Sequence, residues 1–446
     1  MPTDLANGDS PLSFWPRVRE FAVPPSMIET ATARRRAGDW AGACAAANID
    51  VDLQPRLVAR RYGREFAARL RSDLRHLAPD LLRWHMPRIA PDGLLRPGLT
   101  IALARYGTPG AGAPHLVVRT PPAWADAGQR ISLALWDASR TRETGRGHPH
   151  PRPSRRFRFD LHPHLWDARR AGELRARSGD GGPDPDHGGL LPPGHRCAVD
   201  RWTAEAELLL RAEGRPGGKV CVRLGARHRM VLDVPGDGRG AALSHAPSRG
   251  PSLPVLPDAA TWVLPDLELL RAGAIDAGRL HPMVASALGA GRRSGTAWSP
   301  ERAHDPRVVE CRGARHRIGL VDGVLAALDH DPAEVRREEL LAAFGGPPLP
   351  CLRAVDQAHR RPDCLPGVRE RLQHGDVAGA LAAVETLLGP EAVLRDGPLR
   401  DALETAARRR IAHGLYRAGL EGPAPGSLRP WDRRRSRGAG PHPRHM

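Results

Sequence analysis

Cys311 and His316 are the residues whose types and spacing come closest to a catalytic pair. They lie on either side of a predicted hairpin turn in VVECRGARHRI, where facing strand positions would bring the thiol and the imidazole together. A cysteine attacks as its thiolate, which a neighbouring imidazole stabilises. The simpler alternative is a small buried thiol beside a hydrogen-bonded histidine, because cysteine is often buried for packing alone. The packing interpretation is favoured, and the nucleophile is kept as an alternative.

The same region contains residue types that zinc prefers. Zinc is bound by thiolate and imidazole in tetrahedral arrays, but the spacings here match no finger, ribbon or knuckle. His330 lies between Asp329 and Asp331 and is interpreted as a residue at a helix start, not as a ligand. No cofactor is predicted, and zinc is kept as an alternative. The candidate metal ligands are Cys311, His316, Cys351, His359 and Cys364.

Four further histidines form two H-x-H pairs, His148 with His150 and His162 with His164. On a strand, both histidines of such a pair would point to the same face. Most of them, however, neighbour prolines, so a solvated loop is the preferred interpretation. Glycine-rich stretches such as Gly217-Gly218-Lys219 lack the following helix that a phosphate site needs.

The charge of the chain is strongly positive and comes almost entirely from arginine. The formal net charge is +17, and Lys219 is the sole lysine among 446 residues. Clustered cations gain affinity for nucleic acid by releasing counterions from phosphate. Replacement of lysine by arginine, together with abundant Ala, Gly and Pro, is also typical of GC-rich coding. Nucleic-acid binding therefore stays an alternative.

The sequence predicts no membrane span and no secretory signal. No apolar run approaches the roughly 18 residues that cross a bilayer. The six cysteines are scattered and contain no C-x-x-C pair. Reduced thiols in a cytoplasm fit this pattern better than a disulfide framework. We therefore expect a cytoplasmic location.

Hydrophobic periodicity predicts an α+β protein with a helical N-terminal segment, a β-rich middle of short antiparallel strands and hairpins, and a helical C-terminal segment. Among the local predictions, 155–161 and 206–213 are strands, and Ser26, Asp39 and Asp331 cap helices. The segments are an irregular N-terminus (1–25), a helical segment (26–98), a β-rich segment (99–166), a flexible linker (167–200), a hairpin and helix segment (201–300), a hairpin followed by helices (301–420) and a disordered arginine-rich tail (421–446).

One internal echo links the two ends of the chain. Gly38-Asp-Trp-Ala-Gly-Ala43 recurs as Gly375-Asp-Val-Ala-Gly-Ala380. In each, Gly closes one helix and Asp caps the next. This resembles the turn of a tetratricopeptide-type helical hairpin, once in each place and with no tandem period of about 34 residues. The resemblance implies helical packing surfaces, which often serve partners.

A second echo, Gly225-Ala-Arg-His-Arg-Met230 and Gly313-Ala-Arg-His-Arg-Ile318, predicts a duplicated β-hairpin. A two-residue Gly-Ala loop would form a type II′ turn. That register places Cys311 opposite His316 and Glu310 opposite Arg317.

The leading functional hypothesis is a non-catalytic interaction or adaptor protein of a cytoplasmic bacterial assembly, with an unidentified protein partner. Alternatives are an arginine-mediated nucleic-acid binder and an enzyme that uses the Cys/His pair or zinc. The adaptor hypothesis assumes that the thiols and imidazoles are dispersed parts of the scaffold. Their convergence around one point would favour an enzyme instead.

Overall fold

The computed structural model describes residues 13–107, 113–140, 148–179, 196–225, 228–236, 241–246, 253–290 and 307–420. Its architecture is α+β, as the sequence predicts, with helices towards both ends and four small sheets. The helices are α1 (Trp15–Phe21), α2 (Pro25–Arg36), α3 (Trp40–Ala46), α4 (Pro55–Tyr62), α5 (Arg64–His76), α6 (Pro79–His85), α7 (Leu174–Arg177), α8 (Val199–Ala212), α9 (Asp258–Thr261), α10 (Pro265–Arg271), α11 (Pro282–Ala287), α12 (Pro332–Ala343), α13 (Pro350–Arg360), α14 (Leu365–His374), α15 (Val377–Leu388) and α16 (Pro398–Arg417).

The strands are short and pair mostly in antiparallel fashion. They are β1 (Ile49–Val51), β2 (Arg88–Ile89), β3 (Leu94–Leu95), β4 (Thr100–Arg105), β5 (His115–Arg119), β6 (Ile131–Trp136), β7 (Gly218–Arg223), β8 (Arg229–Val234), β9 (Ala242–His245), β10 (Arg307–Cys311), β11 (Ala314–Val321) and β12 (Val324–Ala327). The largest sheet has the order β1-β6-β5-β4, with β1 parallel to β6.

The largest core joins the N-terminal helices to this four-stranded sheet. Its members include Leu70, Leu74 and Leu81 from the helices and Leu133 and Val118 from the strands. Two smaller cores follow along the chain. One lies between α8 and the sheet β7-β8-β9, and the other is formed by helices α13 to α16.

The sheet β10-β11-β12 lies beside the C-terminal helices through α13. A small apolar cluster joins the end of β10 to the start of α13. Helix α12 follows β12 and contains no buried residue. This part of the chain therefore has little apolar core of its own.

Several local predictions are wrong. Residues 15–21, expected to be irregular, form helix α1. Residues 206–213, predicted as a strand, lie largely in helix α8, whose buried face follows the helical period. Residues 155–161 end in a 3₁₀ turn and contribute no named strand. Part of the predicted linker forms α7. The predicted tail, 421–446, and residues 1–12 lie outside the described residues.

Capping explains where the helices begin. Asp39 accepts a hydrogen bond from the Gly42 amide at 2.8 Å, and Asp331 accepts one from the Ala333 amide at 3.1 Å. Both caps were predicted. Ser26 lies inside α2 and does not cap it, because the helix starts one residue earlier at proline. No helix in the described residues is long and apolar enough to cross a membrane.

The first internal echo corresponds to two structurally equivalent helix turns. Gly375 adopts φ +90°, and Asp376 accepts a hydrogen bond from the Gly379 amide at 2.9 Å, as Asp39 does in the first copy. An arginine five residues before each aspartate also pairs with it, Arg34 at 3.2 Å and Arg371 at 2.9 Å. The pairs α2–α3 and α14–α15 are thus helical hairpins with the same turn.

Antiparallel strand pairs flank both copies of the second echo, as the hairpin prediction requires, but the predicted register is wrong. Arg312 and Gly313 form the loop, with φ +52° and +78°, as a type I′ turn requires. Cys311 therefore lies opposite Ala314, and His316 lies opposite Val309. The predicted facing pair Cys311–His316 does not form. Because the register is displaced by two residues, both side chains nevertheless stay on the same face.

The first copy of this echo pairs in yet another register. Cys221 lies opposite Val231, and Arg223 lies opposite Arg229. Residues 226–227 of the turn lie outside the described residues. The strands next to the two GARHR segments thus pair in different registers, although β7-β8-β9 and β10-β11-β12 are both three-stranded antiparallel sheets.

Candidate metal centre

Three side chains from three separate elements converge beside the sheet β10-β11-β12. Cys311 is the last residue of β10, Cys351 is the second residue of α13, and His330 precedes the cap of α12. One potential ligand atom from each lies within 4.8 Å of the others. The hairpin, the start of α12 and the start of α13 therefore meet at one point, which carries two thiols and an imidazole.

The cluster is enclosed by protein. Cys311 and Cys351 are both 0% exposed and pack with Leu349, and Val309 and Ala327 lie around them. Burial first, and then a hydrogen bond with Cys311, raises the pKa of the Cys351 thiol to about 11. Cys311 is likewise buried, so a substrate has no access to its sulfur, and its predicted facing pair with His316 does not form. Both observations argue against the Cys311–His316 catalytic pair.

His330 has a buried side chain whose two ring nitrogens have different surroundings. Its side chain is only 4% exposed, and its Nδ1 lies 3.7 Å from Oε2 of Glu334. Its Nε2 is buried and has no hydrogen-bond partner within the described part of the chain. Metal-bound histidines commonly direct their second nitrogen to a carboxylate, which fixes the ring. Glu334 is itself held by an ion pair with Arg312.

His316 lies directly beside this group. Its ring stacks on that of His330, with centroids 4.2 Å apart and planes inclined by 9°. Its Nδ1 is also buried without a partner among the described residues. A ligating nitrogen binds in the plane of its ring, so two nearly parallel rings cannot share one ion.

The dimensions suit a tetrahedral ion after a small contraction. Zinc binds sulfur at about 2.3 Å and imidazole nitrogen at about 2.0–2.1 Å, which separates neighbouring ligand atoms by about 3.3–3.8 Å. The observed limit of 4.8 Å requires side-chain movements of about 1 Å or less. Two thiolates and two imidazoles form a donor set typical of structural zinc, whereas two thiolates and one imidazole are also the protein ligands of some catalytic zinc sites.

Two predicted ligands lie apart from the cluster. His359 is on α13 two turns beyond Cys351, which corresponds to about 12 Å along a helix. Cys364 precedes α14 and packs with the core of the C-terminal helices. Both serve as internal controls for the metal centre.

One of the two H-x-H pairs has different surroundings from those predicted. His162 and His164 are buried, not solvated, and their rings make an edge contact at 5.7 Å. Nδ1 of His162 lies 2.9 Å from the carbonyl oxygen of Arg158, and its Nε2 lies 3.2 Å from Oε2 of Glu205. His148 and His150 lie on a more exposed segment. The two pairs do not share one site.

The sequence interpretation passed over His330. Its neighbours Asp329 and Asp331 indicate a helix start, and Asp331 does cap α12. The three ligands are about 20 residues apart along the chain, so no short motif marks them. The available signal was one cysteine at the end of a strand, one at the start of a helix and a histidine at the turn between.

The described part of the chain thus brings Cys311, His330 and Cys351 close enough together that they could hold a metal ion. No family model, curated protein or solved structure matches the chain.

Proposed function

We propose that this chain is a non-catalytic interaction protein of a cytoplasmic bacterial assembly, with its C-terminal part stabilised by a structural zinc ion. Cys311, His330 and Cys351 are the ligands, and His316 takes the fourth position after a ring rotation. The observation that carries the zinc proposal is the convergence of two fully buried thiols and a buried imidazole nitrogen. The ion would connect the hairpin to the starts of α12 and α13, where there is little apolar packing.

Convergence of thiols and imidazoles would favour an enzyme if the site were open. Catalytic zinc keeps one coordination position for water or substrate, whereas structural zinc is closed by four protein ligands. The two cysteines are 0% exposed, so their sulfur atoms are closed to substrate, and the proposal takes the fourth ligand from His316, which stacks on His330. A structural role is therefore the better explanation.

The zinc proposal is tested by metal content. The purified full chain should hold about one zinc per molecule, and Cys311→Ser and Cys351→Ser should each lose it. Cys364→Ser and His359→Asn, which change nearby residues outside the cluster, should retain it. A chain without stoichiometric zinc, grown with zinc supplied, would contradict the proposal, as would equal loss in the Cys364→Ser control.

Cobalt substitution distinguishes a closed from an open centre. The visible spectrum of the cobalt-loaded chain should indicate four protein ligands including two thiolates, and His316→Asn should change it. If the cobalt spectrum of His316→Asn equalled that of wild type, His316 would not be a ligand. The ion would then have three protein ligands, as in catalytic sites.

The interaction role is supported by an exposed apolar face on α12. Leu340 and Leu341 are exposed, and the Phe344 side chain, next to the helix end, is 89% exposed. Several exposed apolar side chains close together on a surface commonly mark a protein contact. The zinc centre would hold this helix in a fixed position relative to the sheet.

A gentle pull-down with the full chain should recover a stoichiometric protein partner. Phe344→Ser should release that partner while zinc content stays unchanged, because Phe344 does not contribute to the metal centre. The matched control is Leu57→Ser, an exposed apolar residue on α4. Recovery of no partner, or equal capture by wild type and Phe344→Ser, would count against an interaction role for this helix.

Nucleic-acid binding is less well supported. Arg19, Arg83, Arg88 and Arg158 are buried, and they hydrogen-bond to carbonyl or carboxylate oxygens inside the protein. Such arginines contribute to the net charge but are not available to a polyanion. Many exposed arginines are also paired with carboxylates, for example Arg317 with Asp329.

A further inference from the structure

Helix α12 has an inner side that carries negative charge and contacts the rest of the protein. Glu334 and Glu338 lie one turn apart on this side, and both form ion pairs with Arg312, the second at 2.6 Å. Their side chains are partly buried by these contacts. Two of the carboxylates of the helix are therefore neutralised within the protein and are not available to a partner.

The opposite side of α12 combines apolar residues with arginine. At 3.6 residues per turn, five of its side chains fall within one sector of about 140° around the helix axis. All five are exposed, and Phe344 is the most exposed of them at 89%. This set, named here the outer face of α12, comprises Arg336, Arg337, Leu340, Leu341 and Phe344.

The two arginines of the outer face have no ion-pair partner. Neither Arg336 nor Arg337 contacts a carboxylate within the described part of the chain, and Nε of Arg337 donates a hydrogen bond to the Ala333 carbonyl oxygen at 3.3 Å. Glu339 is exposed but lies about 60° beyond Arg336, on the side away from the leucines. Two cations thus border an apolar surface that has no carboxylate among its members.

These two properties together specify the chemistry of a partner. Exposed leucine and phenylalanine side chains gain free energy when another apolar surface removes them from water. Arginines at the rim of a contact favour partners that place carboxylates opposite them, and they disfavour partners with cations there. An amphipathic helix supplies both, because an apolar stripe at i, i+3 or i+4 and i+7 can lie along the apolar residues.

A second copy of this chain fits the outer face less well. Two copies that packed these faces together would share a symmetric contact, which brings the same patch of both molecules together. Each copy would then offer one flanking carboxylate, Glu339, against two arginines, because Glu334 and Glu338 are paired with Arg312. Like charges placed together in a contact are unfavourable. The partner is therefore expected to be a different protein.

We propose that the outer face of α12 binds an amphipathic helix of another protein, in which acidic residues flank the apolar stripe. This inference rests on the interaction role proposed above for α12 and adds the chemistry of the partner. Leu340 and Phe344, one turn apart, contact the apolar stripe of the partner. Arg336 and Arg337 pair with its flanking carboxylates and so select acidic helices.

Selection from a display library of random peptides of about 16 residues, roughly four helical turns, tests this proposal on the full chain. Enriched peptides should carry apolar residues at i, i+3 or i+4 and i+7, with Asp or Glu beside them. Phe344→Ser should not retain these peptides. Enrichment without this pattern, or equal retention by Phe344→Ser, would overturn the proposal. If a pull-down still recovered a stoichiometric partner, the interaction role would stand and the acidic helix alone would be rejected.

Charge reversal separates the arginines from the apolar contact. The double variant Arg336→Glu, Arg337→Glu should enrich peptides flanked by Lys or Arg instead, a switch that unfolding cannot produce. It should bind a synthesised acidic peptide from the first selection at least about 10-fold more weakly than wild type, as calorimetry measures. The matched control is Arg409→Glu, Arg410→Glu, two exposed neighbouring arginines of α16, which should bind like wild type. Selection of acidic peptides by the α12 double variant would contradict the proposal.

Sedimentation of the full chain tests the second copy as the occupant. Wild type and Phe344→Ser should sediment as the same species, because the outer face binds a different protein. A wild-type dimer that Phe344→Ser dissociates would identify a second copy on this face and would overturn the proposal.

Discussion

Glu205 on α8 is a buried carboxylate that contacts side chains from two other segments of the chain. It is 2% exposed, and its oxygens accept hydrogen bonds from Arg177, one at 2.8 Å, while His162 lies 3.2 Å away. Burial alone would raise the pKa of Glu205, but these two partners outweigh burial and lower its pKa to about 2. The charged form is therefore strongly favoured in the folded state.

Glu205 should give the protein a measurable acid sensitivity. Its pKa is lower when folded than the roughly 4.3 of an unfolded glutamate, a difference that corresponds to about 3 kcal/mol of stability. That contribution is fully present above about pH 4.3 and is lost as the pH falls towards about 2.

Glu205→Gln should lower the free energy of unfolding by about 3–5 kcal/mol at pH 7, since it leaves Arg177 without its carboxylate. The free energy of unfolding of this variant should also fall less steeply as the pH is lowered. Urea unfolding at pH values from about 2.5 to about 7 measures both effects, because this range covers most of the titration of Glu205 and the neutral plateau above it. The control is Glu207→Gln, an exposed residue on the same helix. A variant with the wild-type acid limb would refute this role.

At the scale of elements, the two equivalent helix turns differ in what they contact. Gly38 has open space around the position of an added Cβ, whereas a Cβ on Gly375 would collide with the carbonyl oxygen of Gly128. The Gly375 carbonyl also accepts a hydrogen bond from Asn48 at 3.1 Å. The second turn is therefore a docking point of the C-terminal helices on the N-terminal part of the protein.

Alanine substitution at the two glycines separates local strain from docking. Both residues have positive φ, so each substitution should cost about 1–2 kcal/mol for the left-handed conformation. Gly375→Ala should cost about 1–3 kcal/mol more, because the contact with Gly128 is overpacked. Urea unfolding gives the energies, and hydrogen exchange should show loosening near Gly128 in Gly375→Ala alone. Equal effects of the two substitutions would show that the close approach to Gly128 is unimportant.

At the scale of the whole molecule, buried arginines join distant segments. Arg83 on α6 donates hydrogen bonds to the carbonyl oxygens of Ala22, Gln129 and His374, at 3.0, 2.6 and 2.8 Å. Burial lowers the pKa of its guanidinium to about 10. The planar guanidinium group has five N–H donors and can donate hydrogen bonds to several carbonyl groups at once. A lysine ammonium cannot do so with the same geometry. Part of the chain's positive charge thus belongs to buried arginines that stabilise the fold.

Local structure was largely determined by the sequence, because short-range physics decides it. Asp39 and Asp331 cap their helices as predicted, since capping depends on a few neighbouring backbone amides. The strands β4, β5 and β6 form where the period of two in the sequence predicts strands. The α+β class follows from these elements together.

Only the tertiary structure decided which side chains meet. His330 reaches Cys311 and Cys351 because the hairpin register and two helix starts place them together, and no local pattern encodes that distance. Arg119 and Ser132 become neighbours through strand pairing, and α16 covers them from the far end of the chain. Convergence of this kind depends on long-range packing, in which each contact is fixed by many residues at once.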